Sequence, residues 1–335
     1  MPIAPHAPAV SVVMPVYQVE RFVAAAIGSV LAQDFTDFEL IIVDDGGSDR
    51  SMEICQGFDD PRIHILRQAN RGLAGARNTG IAAARGRFVA LLDSDDIWLP
   101  GKLAQHVAHL EADPGLGVSY TGAALIDEAG RPIGLAQTPR VGPVDARGVF
   151  CGQGVCNGSV PVFRREALAD AALPPDREGR VQYFDETLRR SEDVECWTRI
   201  AVTTRWRFAG LPGMLTLYRV NAGGLSADIP RQLASWEAVV GRVRAYAPDF
   251  VARHVAEARS RELRYLSRRA VAMREPRLAT SMIGQAIVTQ PGLLVSEPGK
   301  TLTTLAAALM LRILPRTLFD KLLHRVKPGL AGGVA

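Results

Sequence analysis

A chain of 335 residues with 47% apolar and 22% charged side chains can bury one large core or two moderate ones, which excludes a disordered chain. A formal net charge of +4, with no block of Lys and Arg interleaved with aromatics in the first 220 residues, gives no support to nucleic-acid binding. The four cysteines (Cys55, Cys151, Cys156 and Cys196) form no C-x-x-C pair, so zinc and thioredoxin-like chemistry are unsupported and reduced, mostly buried thiols are expected.

In chain order, Met1 to Ala9 lacks a basic region and a long apolar run, so no signal peptide is expected and the cytosol is the expected compartment. Val10 to Val16 reads as a strand that ends at Pro15-Val16-Tyr17. Glu20 to Gln33 has helical spacing, with Phe22, Val23, Ala26, Ile27, Val30 and Leu31 on one stripe. Phe38 to Val43 is a second strand, cut off by Asp44-Asp45-Gly46-Gly47-Ser48-Asp49. A helix over Ser51 to Phe58, a short strand over Ile63 to Leu66, and a loop and helix over Asn70 to Ala84 follow. Gly86 then precedes the apolar run Phe88 to Leu92, which leads directly into Asp93-Ser94-Asp95-Asp96. This alternation predicts a doubly wound, largely parallel sheet, so the strand ends carrying Tyr17, Asp45 and Asp93 share one edge, where open α/β proteins bind ligands.

Beyond Pro100, a helix is predicted over Lys102 to Glu111 and strands over Val118 to Gly122 and Cys156 to Phe163. Ile126 to Asp145 reads as a hairpin or excursion, and Arg207 to Tyr218 as a strand broken by Pro212-Gly213. Helices are expected over Arg164 to Ala171 and Glu192 to Thr203, separated by a Pro- and Arg-rich loop. Residues 231–290 have a 3.6-residue period and predict a small helical bundle. Thr301 to Leu314 is apolar but too short, and too interrupted by Arg312, for a membrane span. From Lys300 to Lys327 the cations Lys300, Arg312, Arg316, Lys321, Arg325 and Lys327 face only Asp320. Such a tail suits an anionic membrane surface or a helix that caps the domain.

The polar motifs carry the chemistry. Crowded carboxylates at Asp93 to Asp96 are costly to bury unless neutralised, and hard oxygen ligands suit Mg²⁺ or Mn²⁺; the alternative is a solvated acidic loop. A carboxylate in the Asp44-Asp45-Gly46 loop can accept the N3–H of uracil or thymine, and Tyr17 can lie against a base; the alternative is a turn with an aspartate cap. Arg77, in Arg71-Gly72-Leu73-Ala74-Gly75-Ala76-Arg77-Asn78, suits phosphate oxygens or a pairing with one of the site carboxylates. Glu192-Asp193 opens a helix, where acids occur for dipole reasons alone; pointed at the site, one of them can deprotonate an incoming hydroxyl.

Ser11-Val-Val-Met-Pro-Val-Tyr17, Ile42-Val-Asp-Asp-Gly-Gly-Ser-Asp49, Ala76-Arg-Asn-Thr-Gly80, Leu92-Asp-Ser-Asp-Asp-Ile-Trp98 and Ser191-Glu-Asp193 occur in this order. Together they make the chain similar, over about residues 9–228, to an inverting family 2 glycosyltransferase of the GT-A fold. The resemblance implies an α/β architecture with a Rossmann-like, doubly wound mixed sheet and a C-terminal helical appendage. With the helical period and the basic tail read above, the expected division is a nucleotide-sugar-binding half at 1–115, an acceptor-binding and catalytic half at 116–228, a helical appendage at 229–295 and a basic amphipathic tail at 296–335.

The resemblance also implies roles. Pro15, Val16, Tyr17, Glu20, Asp45, Arg77, Asp93, Ser94, Arg219 and Ser226 would bind a nucleoside diphosphate sugar, UDP- or dTDP-linked. Asp95 would be the principal ligand of Mn²⁺ or Mg²⁺, and Asp93 would lie nearer the sugar or ribose. Asp193 would be the catalytic base, positioned by its helix and Glu192, and Arg219 and Ser226 would lie near the leaving group. Asp96 would anchor the loop or cap the turn into Trp98. The acceptor would be a glycan or a lipid-linked intermediate of cell-surface polysaccharide synthesis, with peripheral membrane contact through 296–327. Gly47 stands where relatives carry a hydroxyl residue, and Asn221 where many carry His. No Q-x-x-R-W follows the base, which favours transfer of a single sugar. A phosphohydrolase would carry its D-x-D on the first strand, and a dehydrogenase would need G-x-G-x-x-G where Pro15-Val16-Tyr17-Gln18 stands. A non-catalytic sugar-nucleotide-binding protein on the same fold is the remaining alternative.

Overall fold

The computed structural model describes residues 7–220, 228–315 and 318–319. The chain forms two compact units: residues 1–124, 136–149 and 153–219 in the first, and 125–135, 150–152 and 220–335 in the second.

The first unit is built on a mixed sheet. Strands β1 (Val10–Val16), β2 (Phe38–Asp44), β3 (Ile63–Arg67) and β4 (Phe88–Leu91) are parallel, in the order β3-β2-β1-β4. They alternate with α1 (Val23–Leu31), α2 (Ser51–Gln56) and α3 (Gly72–Ala83). The path goes on through β9 (Val162–Arg164), β6 (Leu116–Ile126), β10 (Arg207–Arg219) and β5 (Ile97–Trp98), with β7 (Pro132–Gln137) on β6 and β8 (Gly142–Val144) on β10. The pairs β4–β9, β9–β6, β10–β5 and β10–β8 are antiparallel.

β1 is a run of buried β-branched and apolar side chains because both sheet faces are covered. Val13 faces the layer of Ile41, Val43, Ala76 and Leu91, while Val12 and Met14 face Ile27, Leu40 and Ala90 on the other side. α3 lies close on β1 because Gly80 has no side chain: a Cβ there would stand 2.3 Å from Val13 Cγ1. That contact sets the depth at which Arg77, one turn earlier, enters the fold.

Register puts the predicted motifs at one edge. Val16 pairs with Asp44 and Asp44 with Arg67, so Tyr17 and Asp45 follow directly from neighbouring strand ends. Val13 pairs with Leu91, so Asp93 leaves the sheet beside them.

Two local expectations differ from the structure, and two short elements were not expected. The strand predicted over Cys156 to Phe163 begins only at Val162, because the Asn157 side chain accepts the Ser159 N–H at 3.0 Å and turns the chain. β10 is one strand from Arg207 to Arg219, with Pro212 and Gly213 exposed between its β8 and β5 registers, where a missing N–H costs little. The two-residue β5 and the short helix α5 (Ala146–Phe150) were too brief to carry a periodic signal. The helices α4 (Lys102–Ala112), α6 (Arg165–Asp170) and α7 (Glu192–Thr203) fall within a residue or two of their predicted ranges.

From residue 229 onward the second unit is helical: α8 (Ile229–Tyr246), α9 (Pro248–Ala272), α10 (Pro276–Thr289), α11 (Leu293–Ser296) and α12 (Pro298–Ile313). Its core holds Leu263, Leu266, Ile283, Ala286, Ala308 and Leu311. Glu297 accepts from both Arg261 and Arg264, joining α9 to the start of α12. Among the described residues no helix is long and apolar enough to cross a membrane.

Candidate active site

The first wall is made by the loops after β1 and β2. Tyr17 is 46% exposed at the mouth of the edge, whereas Pro15 and Val16 are buried in β1. Asp45 is buried, and its Oδ1 accepts from Gln68 Nε2 at 2.7 Å and from the Arg71 N–H at 2.9 Å. The carboxylate is therefore oriented by two donors before any ligand arrives. Glu20 is exposed; its Oε2 accepts the Arg50 N–H at 2.9 Å, while its own N–H donates to Asp49. Those bonds stitch the first two loops together. A Cβ on Gly47 would lie 3.2 Å from the Gln18 nitrogen, so the residue that departs from the family pattern sits at a tight passage between them.

The second wall is the Asp93–Asp96 loop. The Asp93 N–H donates to Ser159 Oγ at 3.0 Å, and Trp98 Nε1 donates to the Ser159 carbonyl at 2.9 Å, so one turn supports both ends of the motif. Ser94 is buried. Asp96 Oδ1 accepts the Arg219 N–H at 2.8 Å, and Arg219 Nε donates to the Asp95 carbonyl at 2.7 Å. The end of β10 is thus fastened to the acidic loop, with the Arg219 guanidinium 4.7 Å from the Phe22 ring centroid.

Arg77 joins this loop to the third wall. Its side chain is 2% exposed, with NH2 donating to Asp93 Oδ1 at 2.6 Å and NH1 to Glu192 Oε1 at 2.7 Å. A Cβ on Gly158 would fall 2.3 Å from Arg77 NH2, so only glycine leaves room for this clamp. Asn78 does similar work on the backbone: Oδ1 accepts from the Tyr183 and Phe184 N–H groups, and Nδ2 donates to the Phe184 carbonyl. Arg71 pairs with Glu186 on the same stretch. Together these bonds draw the loop before α7 over α3 and bring Glu192-Asp193 to the acidic edge.

Ser191, at a left-handed φ of 59°, turns the chain into α7. Asp193 is partly buried, and its Oδ1 accepts the Val194 N–H at 2.8 Å. Burial raises its pKa, opposed by Arg77 and reinforced by Asp93. Glu192 is pushed up to about 7, again first by burial, because one guanidinium is shared among several carboxylates. Burial, then Asp95 and Asp93, lifts Asp96 well above the usual carboxylate range, and its buried Oδ2 has no hydrogen-bond partner.

This excess of negative charge, with an orphaned buried oxygen inside it, fits a divalent cation at the rim. Among the described residues no three His, Cys, Asp or Glu side chains converge into a cage. Such an ion would take one or two of these carboxylates and complete its sphere from phosphate oxygens and water, as Mg²⁺ commonly does.

The site residues Pro15, Val16, Tyr17, Glu20, Asp45, Arg77, Asp93, Ser94, Asp95, Asp193 and Arg219 all lie on or next to this edge; Ser226 and Asn221 lie outside the described residues. Gln68, Gly158 and Ser159 were missed, although each orients or makes room for a predicted residue, as was Glu186, which holds Arg71 and Asn78. They carried no local signal in the sequence, because their partners are 11 to 115 positions away.

Residues 11–170 match the family model described as glycosyl transferase family 2. The chain is 29% identical over 272 residues to the succinoglycan biosynthesis protein ExoO of Rhizobium meliloti, covering 77% of this chain and 74% of that one. It is 44% identical over 100 residues to the UDP-Glc:alpha-D-GlcNAc-diphosphoundecaprenol beta-1,3-glucosyltransferase WfgD of Escherichia coli, covering 30% and 40%. Three of the curated relatives are matched over only 26%, 40% and 41% of their own length. Among solved structures, TarS 1–349 of S. aureus aligns with a TM-score of 0.57 at 17% identity, covering 90% of this chain and 91% of that one. The mannosyltransferase PcManGT of Pyrobaculum calidifontis, in complex with GDP-Man and Mn²⁺, aligns with a TM-score of 0.56 at 20% identity, covering 95% and 89%.

Proposed function

Since residues 11–170 form a family 2 glycosyltransferase domain in a chain of the GT-A fold, we propose that the protein moves a single sugar from a nucleoside diphosphate sugar to an acceptor hydroxyl, with inversion. The observation that carries this reading is the Arg77 clamp, which holds Asp93 of the donor edge and Glu192 beside Asp193 on opposite sides of one guanidinium. A donor held at Asp45 and Asp93 then presents its anomeric carbon toward the start of α7.

Asp45 reads the base through an acceptor oxygen, which suits the N3–H of uracil or thymine and makes UDP- or dTDP-sugars the expected donors. Tyr17 covers the base. Asp193 takes the proton from the acceptor hydroxyl as it attacks from the face opposite the diphosphate, and a single displacement inverts the anomeric centre. Arg219 offsets charge on the departing phosphate. A divalent cation held by Asp95 supplies Lewis-acid stabilisation of the diphosphate leaving group when bound. The acceptor is read as a glycan or lipid-linked intermediate in cell-surface polysaccharide synthesis. That assignment draws on the matches to ExoO and WfgD. The reaction is read as cytoplasmic, at the inner face of the membrane where a lipid-linked acceptor would lie.

The test is a panel of nucleotide sugars with Mn²⁺, Mg²⁺ or chelator, scored by donor hydrolysis and thermal shift. Stabilisation and turnover are expected with a UDP- or dTDP-sugar plus metal. Asp95→Asn should lose the metal-dependent part of the thermal shift and lower turnover by at least about tenfold. Binding without turnover for every sugar and acceptor tried would favour the non-catalytic alternative.

Acid pH gives a separate check. Asp193 must be ionised to accept a proton, so activity falls as pH drops through its pKa. Burial raises that pKa above the ordinary aspartate value of 3.8, so the acid limb of kcat/KM should lie above the usual aspartate range. A flat profile down to that value argues against Asp193 as the base.

A further inference from the structure

α12 is apolar on two sides. Its inner stripe, Thr304, Ala308 and Leu311, is buried against the helical core of its unit. Its outer stripe is Leu302, Ala306, Leu309, Met310 and Ile313, spaced at i, i+4, i+7, i+8 and i+11, and all of it is exposed. Leu302 is 53% exposed and Ile313 76%, in a helix whose opposite face already satisfies the packing of its unit. The hydroxyl of Thr303, at the edge of the stripe, is turned back to the Gly299 carbonyl at 2.6 Å, so it asks for no solvent partner. A helix apolar all round is normally covered on all sides.

The charges around the stripe say what covers it. α12 contains no Asp or Glu; its two charged residues are Lys300 and Arg312, and the 3.6-residue period sets them on opposite sides of the helix, between the outer stripe and the buried face, with Arg312 nearer the stripe. Lys300 reaches Glu297 at only 3.9 Å, and Glu297 already serves two arginines. The sequence that follows adds Arg316, Lys321, Arg325 and Lys327 against Asp320. A second copy of the chain would bring the same cations face to face, and like charges repel. A partner that is apolar beneath and anionic on top satisfies both features.

We propose that the outer stripe of α12 inserts into the interface of an anionic lipid bilayer, with Lys300 and Arg312 at the headgroups, and holds the protein on the membrane surface. The proposal moves the expected membrane contact from the charged tail as a whole to one apolar helix face. It deepens the reading of a membrane-borne acceptor and takes its biological sense from that reading.

The experiment is sedimentation of the full chain with vesicles of phosphatidylcholine alone or mixed with phosphatidylglycerol, with hydrolysis of a nucleotide sugar followed in parallel. Binding is expected to the anionic vesicles and to weaken with salt. Leu309→Glu/Ile313→Glu should weaken it by at least about tenfold, and Arg312→Gln by about fivefold. Both variants should keep the wild-type rate of donor hydrolysis, which shows that the fold is intact. If either variant misfolds, the other carries the test. Absence of binding to anionic vesicles, equal binding by Leu309→Glu/Ile313→Glu, or self-association abolished by that variant overturns the proposal. Each of these outcomes is read without any acceptor, so a failure here is distinct from a failure of the transferase reading.

Discussion

Asp193→Asn should lower sugar transfer by about 10²–10⁴-fold while leaving nucleotide binding in place. The amide keeps the shape of the side chain and can still accept the Val194 N–H, but it cannot take a proton at neutral pH. The effect should fall on kcat rather than on donor KM, since the proton moves only as the acceptor attacks. The same substitution should leave stability equal or slightly higher. A carboxyl whose pKa is raised in the folded state binds protons more tightly there than in the unfolded chain. Its contribution to stability is full below the unfolded pKa and is lost as pH rises through the folded value. At neutral pH the ionised Asp193 is therefore a cost, which the amide removes. Steady-state kinetics together with a denaturant titration check both halves; unchanged turnover would remove Asp193 from the mechanism.

Arg77→Met should do the reverse and cost stability first. The guanidinium is buried between Asp93 and Glu192, at 2.6 and 2.7 Å, and nothing else described bonds both. Removing one partner of a buried ionic cluster leaves carboxylates uncompensated, a loss of about 3–5 kcal/mol. For a unit of this size that is a fall in melting temperature on the order of 10 °C. Turnover should fall as well, because the acidic loop and the start of α7 lose their common tie. Arg77→Lys should recover part of the stability but little of the activity: an ammonium has no planar fork with which to hold two carboxylates on separate arms. A small, screened loss in Arg77→Met, with activity retained, would mean that the clamp is incidental.

Arg77 also shows how far local reading reaches. Its motif, Ala76-Arg77-Asn78-Thr79-Gly80, was recognisable in the sequence, and pairing with a site carboxylate was one of two readings open to it. The structure has Arg77 in the body of α3 rather than at a helix start, with both arms bonded to carboxylates. One of those carboxylates is 115 residues away, a distance that no periodicity reports. Asp45 is similar: the carboxylate stood out, but Gln68 and the Arg71 N–H, which orient it, belong to the next strand–helix connection.

The sequence by itself determined the strand–helix alternation, the shared edge of Tyr17, Asp45 and Asp93, and the helical nature of residues 231–290. These follow from hydrophobic period and from the handedness of βαβ crossovers, both local properties of the chain. Tertiary structure alone decided that a turn at Asn157 to Ser159 supports the acidic loop, that Asp96 fastens β10, and that α12 keeps one apolar stripe uncovered. Hydrogen bonds and packing between distant segments depend on three-dimensional approach. A side chain's type shows what it can bond to, and only the fold decides which partner comes within 3 Å.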